Sequence, residues 1–141
     1  MLPMISSDQH LVSKRPCLLL VEDDDGVRRS LQLLLQGLGF DVRSFASARP
    51  ALLDFASTEA EYLVIDYMLA DFDGIAFLRQ LRDRGWQGIA VLITAFSSSG
   101  VREVAREAGF AEILDKPFRD NALVAALSIG GPALAAPRGS R

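Results

Sequence analysis

The chain has 141 residues, half of them apolar and 23% charged, with a formal net charge of −3. That balance fits one globular domain with a real core, and it lacks the basic stripe and interleaved aromatics of a nucleic-acid binder. No apolar run approaches the ~20 residues of a membrane span, and the single cysteine, Cys17, has no partner for an internal disulfide.

Residues 1–15 mix Ser, Asp, Gln, His and Lys without periodicity and predict a mobile arm, with no chemical role expected for His10. No charged start precedes a long apolar stretch, so no export signal is expected, and Cys17 reads as a small buried hydrophobe in a reducing, cytoplasmic setting. The first apolar run, 17–21, stops at Glu22-Asp23. Val27, Leu31, Leu34, Leu35 and Leu38 then recur at threes and fours and predict a helix ended by Gly39, with Asp24 and Asp25 at its start. A strand at 41–45 and a helix from Ala48 to Ala56 follow, the latter requiring Pro50 in its first turn. The run 62–65 stops at Asp66, and Ile75, Leu78 and Leu81 predict the next helix, before Gly85. The run 89–93 ends in Thr94; Val101, Val104, Ala105 and Ala108 follow as a helix capped by Ser98 or Ser99 and stopped by Gly109. The last run, 112–114, enters Asp115-Lys116-Pro117, after which Asp120 would cap a helix with Leu123, Val124 and Leu127 inside. Gly, Pro and Ala crowd residues 130–141, which predict a flexible tail after a domain at 16–129.

Five strand–helix units in alternation imply an α/β fold, a doubly wound parallel sheet with helices on both faces. The flavodoxin-like order 2-1-3-4-5 with five helices fits best, and it opens a crevice where strands one and three end. Glu22, Asp23 and Asp66 emerge there. Carboxylates at the ends of buried strands are costly unless a cation balances them. Oxygen donors without His or Cys nearby favour a hard ion such as Mg²⁺. One carboxylate could then attack phosphorus to give an acyl phosphate, with Lys116 and Thr94 engaging its oxygens.

The set Val-Glu-Asp-Asp-Asp with Arg28 downstream, Asp66 with Asp73-Gly74, Thr94-Ala95, and Lys116-Pro117-Phe118 resembles the receiver domain of bacterial two-component response regulators over residues 16–129. The resemblance implies that Asp66 accepts a phosphoryl group. It implies direct Mg²⁺ contact by Asp23 and Asp66, contact mainly through water by Glu22, and a further ligand in the backbone carbonyl of Met68. Thr94, Ala95 and Lys116 would form the phosphoryl-binding and switch elements, Lys116 pairing with a carboxylate before transfer. The bond before Pro117 would commonly be cis, and Gly74 would allow a tight turn into the third helix. Arg102, Arg106, Glu112 and Arg119 would mark a partner surface.

Two positions depart from the family. Ala70 stands where the family usually carries Pro and is expected to loosen the metal-side loop. Ile113 stands where a Tyr or Phe usually turns inward, so the aromatic switch is expected to be absent or replaced, with Phe96 or Phe110 as candidates. The expected function is that of a stand-alone receiver that catalyses only its own phosphorylation and slow dephosphorylation. Its expected partners are a sensor histidine kinase or histidine phosphotransfer protein and a downstream protein target. A homodimer stays open, and neither nucleic acid nor membrane is expected. The alternatives are a receiver cut from a larger transcription regulator and a Mg²⁺-dependent aspartyl phosphatase, the latter disfavoured by Met68. A flavin site is disfavoured by the anion-repelling Glu-Asp-Asp-Asp stretch.

Overall fold

The computed structural model describes residues 15–55, 59–95 and 97–128. Strands β1 (Cys17–Val21), β2 (Asp41–Phe45), β3 (Tyr62–Asp66), β4 (Ile89–Thr94) and β5 (Glu112–Asp115) alternate with helices α1 (Asp25–Gly37), α2 (Ala48–Phe55), α3 (Gly74–Asp83), α4 (Ser99–Ala108) and α5 (Asp120–Ser128). All pairings are parallel, in the order β2-β1-β3-β4-β5, as the alternation predicts. The expected N-terminal arm, except Arg15, and the expected tail lie outside the described residues, as do Ala56 and Phe96.

Period-two alternation divides the core. Leu18, Leu20, Val64, Val91 and Ile93 face α1 and α5, where Leu31, Leu35, Leu123, Ala126 and Leu127 are buried. Leu19, Val21, Leu63, Ile65, Ala90 and Leu92 face the other side, against Ala51 of α2, Phe77, Leu78 and Leu81 of α3 and Ala105 of α4. Each large aliphatic side chain so buried contributes about 1.5–3 kcal/mol by leaving water. Strands covered on both faces explain why β1, β3 and β4 read as unbroken apolar runs. β2, at the sheet edge, keeps Asp41 and Arg43 exposed.

The helix ends follow local chemistry. Asp24 accepts from Val27 N at 2.9 Å, Asp73 from Ala76 N at 2.7 Å and Ser98 from Val101 N at 3.2 Å, capping α1, α3 and α4. Gly109 ends α4 at φ +113°, a left-handed conformation that favours glycine. Several expectations need correction. Val104 turns outward and is 38% exposed, and Ala105 is the fully buried residue of its stripe. On α5 the inner position belongs to Ala126, while Val124 is half-buried, and Asp120 is already within the helix. β1 and β2 end where expected, at Val21 and Phe45, but the pairing of β3, β4 and β5 runs one residue beyond the predicted ends: Asp66 pairs with Ile93 and Thr94 with Asp115. The polar side chains therefore belong to the strands themselves, which fixes their backbones to the sheet.

Candidate phosphoryl-acceptor site

Glu22 follows β1 and continues its pairing, donating its N–H to Phe45 O at 3.0 Å. Its side chain is fully buried. Asp24 N–H donates to Glu22 Oε2 at 3.0 Å, and Arg28 donates to the Glu22 carbonyl at 2.9 Å and to Asp25 at 2.8 Å. Asp66, at the end of β3, is 6% exposed, and Asp23 is exposed. One carboxylate oxygen from each of Glu22, Asp23 and Asp66 lies within 4.8 Å of the others. The parallel register of β1 and β3 brings them together, since Val21 pairs with Ile65 immediately before the acids.

Lys116 crosses this cluster from the end of β5. Its ammonium is 2.8 Å from Glu22 Oε1 and 3.2 Å from Asp66 Oδ2, with hydrogen-bond geometry only to Asp66. Glu22 Oε1 is thus ion-paired yet buried without a well-directed donor. Burial raises the Glu22 pKa above its ordinary value, against the lowering effects of Lys116 and the Asp24 N–H. Burial acts on Lys116 toward a lower value, but Glu22 and Asp66 outweigh it and hold the ammonium above its usual range. One ammonium facing three carboxylates leaves negative charge uncompensated. A hard divalent cation fits that deficit and this all-oxygen donor set, so Glu22, Asp23 and Asp66 could hold one.

The remaining predicted residues fall around this cluster. Thr94 is buried at the end of β4, its carbonyl accepting from Lys116 N at 2.8 Å, and Ala95 is exposed beside it. Met68 exposes 61% of its surface, while its N–H approaches Asp66 Oδ1 at 3.4 Å. The Lys116–Pro117 bond is cis. Gly74 has no positive φ: it is required because a Cβ there would stand 2.6 Å from the Asp66 carbonyl oxygen and 3.0 Å from Leu92 Cδ1. The close approach of α3 to the end of β3, rather than the expected turn, is what demands glycine.

Ile113 and Phe110 are buried in the core on the α4 side, and Phe96 lies outside the described residues. A cleft of about 560 Å³ is lined by Tyr67, Ala95, Ser97, Ser98, Val101 and Asp115. Arg102 pairs with Asp115 at 2.7 Å and Arg106 with Glu112 at 3.0 Å, so two of the three arginines of the expected partner surface bind across to β5, while Arg119 is exposed. Sequence reasoning missed three anchors. Ser97 donates to Asp115, which also accepts from Arg102. Asp71 accepts from the N–H groups of Ala48 and Arg49 at the start of α2. Arg82 donates to the carbonyls of Trp86, Gly88 and Gly109 with its guanidinium 5.1 Å from the Trp86 ring centroid.

Residues 18–128 match the family model of the response regulator receiver domain. The KDP operon transcriptional regulatory protein KdpE of Escherichia coli (strain K12) is 34% identical over 112 residues, which are 79% of this chain and 49% of that protein. The response regulator MprA of Mycolicibacterium vanbaalenii is 35% identical over 108 residues, 77% of this chain and 47% of that one. The BeF3-activated receiver domain of DrrB, a Thermotoga maritima protein, superposes with a TM-score of 0.74 at 25% identity, covering 82% of this chain and 96% of that one. The chain spans about half the length of the curated relatives it matches. With its sheet order, its strand-end acids and a family match over most of its length, the chain belongs to the response regulator receiver domain family of two-component systems.

Proposed function

We propose that Asp66 is the phosphoacceptor, taking a phosphoryl group from a histidine kinase or a histidine phosphotransfer protein. The observation that carries this reading is the Lys116 ammonium held between buried Glu22 and Asp66 at the mouth of the parallel sheet. An Asp66 carboxylate oxygen attacks phosphorus, a P–O bond forms, and the P–N bond of the donor phosphohistidine breaks as its imidazole leaves. Lys116, already within 3.2 Å of Asp66, supplies positive charge to one transferring oxygen, and the buried Thr94 hydroxyl donates to another. Glu22, Asp23, Asp66 and the Met68 carbonyl would hold Mg²⁺, which supplies charge neutralisation at the phosphoryl oxygens when bound.

The receiver's output is a change in the 94–108 region. Movement of Thr94 toward the phosphoryl group pulls on the loop leading to α4 and biases the partner surface that includes Arg102, Arg106, Glu112 and Arg119. Buried Ile113 has no ring to turn, so repacking around the cleft beside Tyr67 takes the place of an aromatic switch.

Intact-mass spectrometry after exposure to a small acyl phosphate and Mg²⁺ tests the assignment. The expected result is a gain of one phosphoryl group in the wild type and none in Asp66→Ala. An equal gain in both would remove Asp66 from the role. A second reading, a receiver working within a larger transcription regulator, draws support from relatives of which the matched segment is about half, one of them named a transcriptional regulatory protein. The mass of the native protein on an immunoblot separates the two.

A further inference from the structure

The loop between β3 and α3, residues 67–73, carries the Met68 peptide beside the Asp66 carboxylate. Several contacts close this loop on itself and on the sheet. Tyr67 N–H donates to Ile93 O and Gly74 N–H to Tyr67 O, both at 2.8 Å, Met68 bridges to Asp73, and Leu69 is buried. The outer arm is tied elsewhere. Asp71 Oδ1 accepts from Ala48 N and Oδ2 from Arg49 N, each at 3.0 Å, across 23 and 22 residues of chain.

An α-helix leaves its first N–H groups without intrahelical partners. α2 begins Ala48-Arg49-Pro50, and Pro50 has no N–H to offer. Ala48 is fully buried, so its N–H needs a protein acceptor. Asp71 therefore caps α2 from another loop, with one oxygen for each donor and a negative charge at the positive end of the helix. The arrangement is a two-way tie: it satisfies α2 and it fixes the outer arm of the acceptor loop against a rigid element.

We propose that Asp71 is a positioning residue for the phosphoryl site, holding the Met68 peptide in register with Asp66 by clamping its loop to the N-terminus of α2. This rests on the reading of Asp66 and its neighbours as a Mg²⁺-assisted acceptor site. The Asp71 carboxyl titrates below its ordinary value: burial raises it, and the Arg49 and Ala48 N–H bonds more than offset that. The clamp is thus ionised at neutral pH. Because coupling is reciprocal, a cation that orders the loop also tightens the start of α2.

Calorimetric titration of Mg²⁺ into the wild type, Asp71→Ala, Asp71→Asn, Asp54→Ala and Asp23→Asn tests the proposal. Outer contacts that orient metal ligands are worth about 10–100-fold in affinity, and a contact acting through a loop belongs at the low end. Asp71→Ala is expected to bind about tenfold more weakly, with Asp71→Asn between it and the wild type, since the amide keeps one acceptor oxygen. Asp54→Ala breaks the bidentate pair that ties the other end of α2 to Arg43 at 2.7 Å, and it is expected to bind as the wild type does. Amide exchange gives a second readout: Mg²⁺ is expected to slow exchange at Ala48 and Arg49 in the wild type and not in Asp71→Ala. Wild-type affinity in a folded Asp71→Ala or Asp71→Asn, or equal losses in Asp54→Ala, would overturn the positioning role. A failure of the acceptor-site reading shows separately, as unchanged binding in Asp23→Asn or none in the wild type, both with Asp71 intact.

Discussion

Replacing Lys116 by Met keeps most of the aliphatic stem and removes the one ammonium that touches both Glu22 and Asp66. The side chains left behind are 0% and 9% exposed. Removing one partner of a buried pair costs about 3–5 kcal/mol. Lys116 itself is 21% exposed, and water can enter, so a loss of about 2–3 kcal/mol is the expectation at neutral pH. In a domain of this size that corresponds to a fall in Tm of roughly 8–15 °C. The sign with pH follows from Glu22. Burial already raises its pKa above 4.5, and Lys116 is the main opposing influence; without it the value rises further. A carboxyl with a raised folded pKa contributes its stability when protonated and loses it as pH rises through that pKa. The gap between wild type and variant is therefore expected to be widest at neutral pH and to narrow as pH falls toward 4.5, the ordinary Glu22 value. Urea denaturation followed by circular dichroism across that range measures it. A variant as stable as the wild type at neutral pH, or a gap that does not vary with pH, would refute the reasoning.

Three further outcomes follow from the same structure. The raised pKa of Lys116 places its ion pairing fully on the stable side below 10.5, so wild-type stability is expected to fall as pH rises beyond that value and Lys116→Met to lack the fall; parallel alkaline unfolding curves would contradict this. Gly74→Ala puts a Cβ 2.6 Å from the Asp66 carbonyl oxygen, which is expected to cost about 1–3 kcal/mol in thermal unfolding and to weaken Mg²⁺ binding by displacing the end of β3. Arg82→Met leaves the carbonyls of Trp86, Gly88 and Gly109 short of a donor. It is expected to cost about 2–3 kcal/mol and to alter the fluorescence of Trp86, the single tryptophan, while Mg²⁺ affinity at the opposite end of the sheet stays unchanged.

The sheet was legible because its central strands are buried on both faces, so Leu18–Val21, Leu63–Ile65 and Ala90–Ile93 carry apolar residues at every position. Glu22, Asp23 and Asp66 stood out because acids at such strand ends have few physical reasons to be there, and the register of β1 with β3 brings them within 4.8 Å. Strand ends are less legible at Asp66, Thr94 and Asp115, where a polar side chain reads as a stop in sequence while the backbone pairing continues through it. Asp71 and Arg82 left no local signal. The Asp71 partners are backbone groups 22 and 23 residues away, and Arg82 joins the nearby Trp86 and Gly88 carbonyls to that of Gly109, 27 residues away, so packing is what assembles both sets. Gly74 was read correctly as required and for the wrong reason, since a close approach between elements cannot be seen in one segment alone. Val104 failed for a related cause: α4 buries a narrow stripe centred on Ala105, and periodicity does not give the width of a stripe.

The most direct measurement is a crystal structure of the protein grown with Mg²⁺ and beryllofluoride. The account predicts the fluoride cluster joined to a carboxylate oxygen of Asp66, Lys116 swung from Glu22 onto it, and the metal held by Asp23, Asp66 and the Met68 carbonyl. Beryllofluoride seated on another carboxylate, or Mg²⁺ bound away from Asp23 and Asp66, would contradict it.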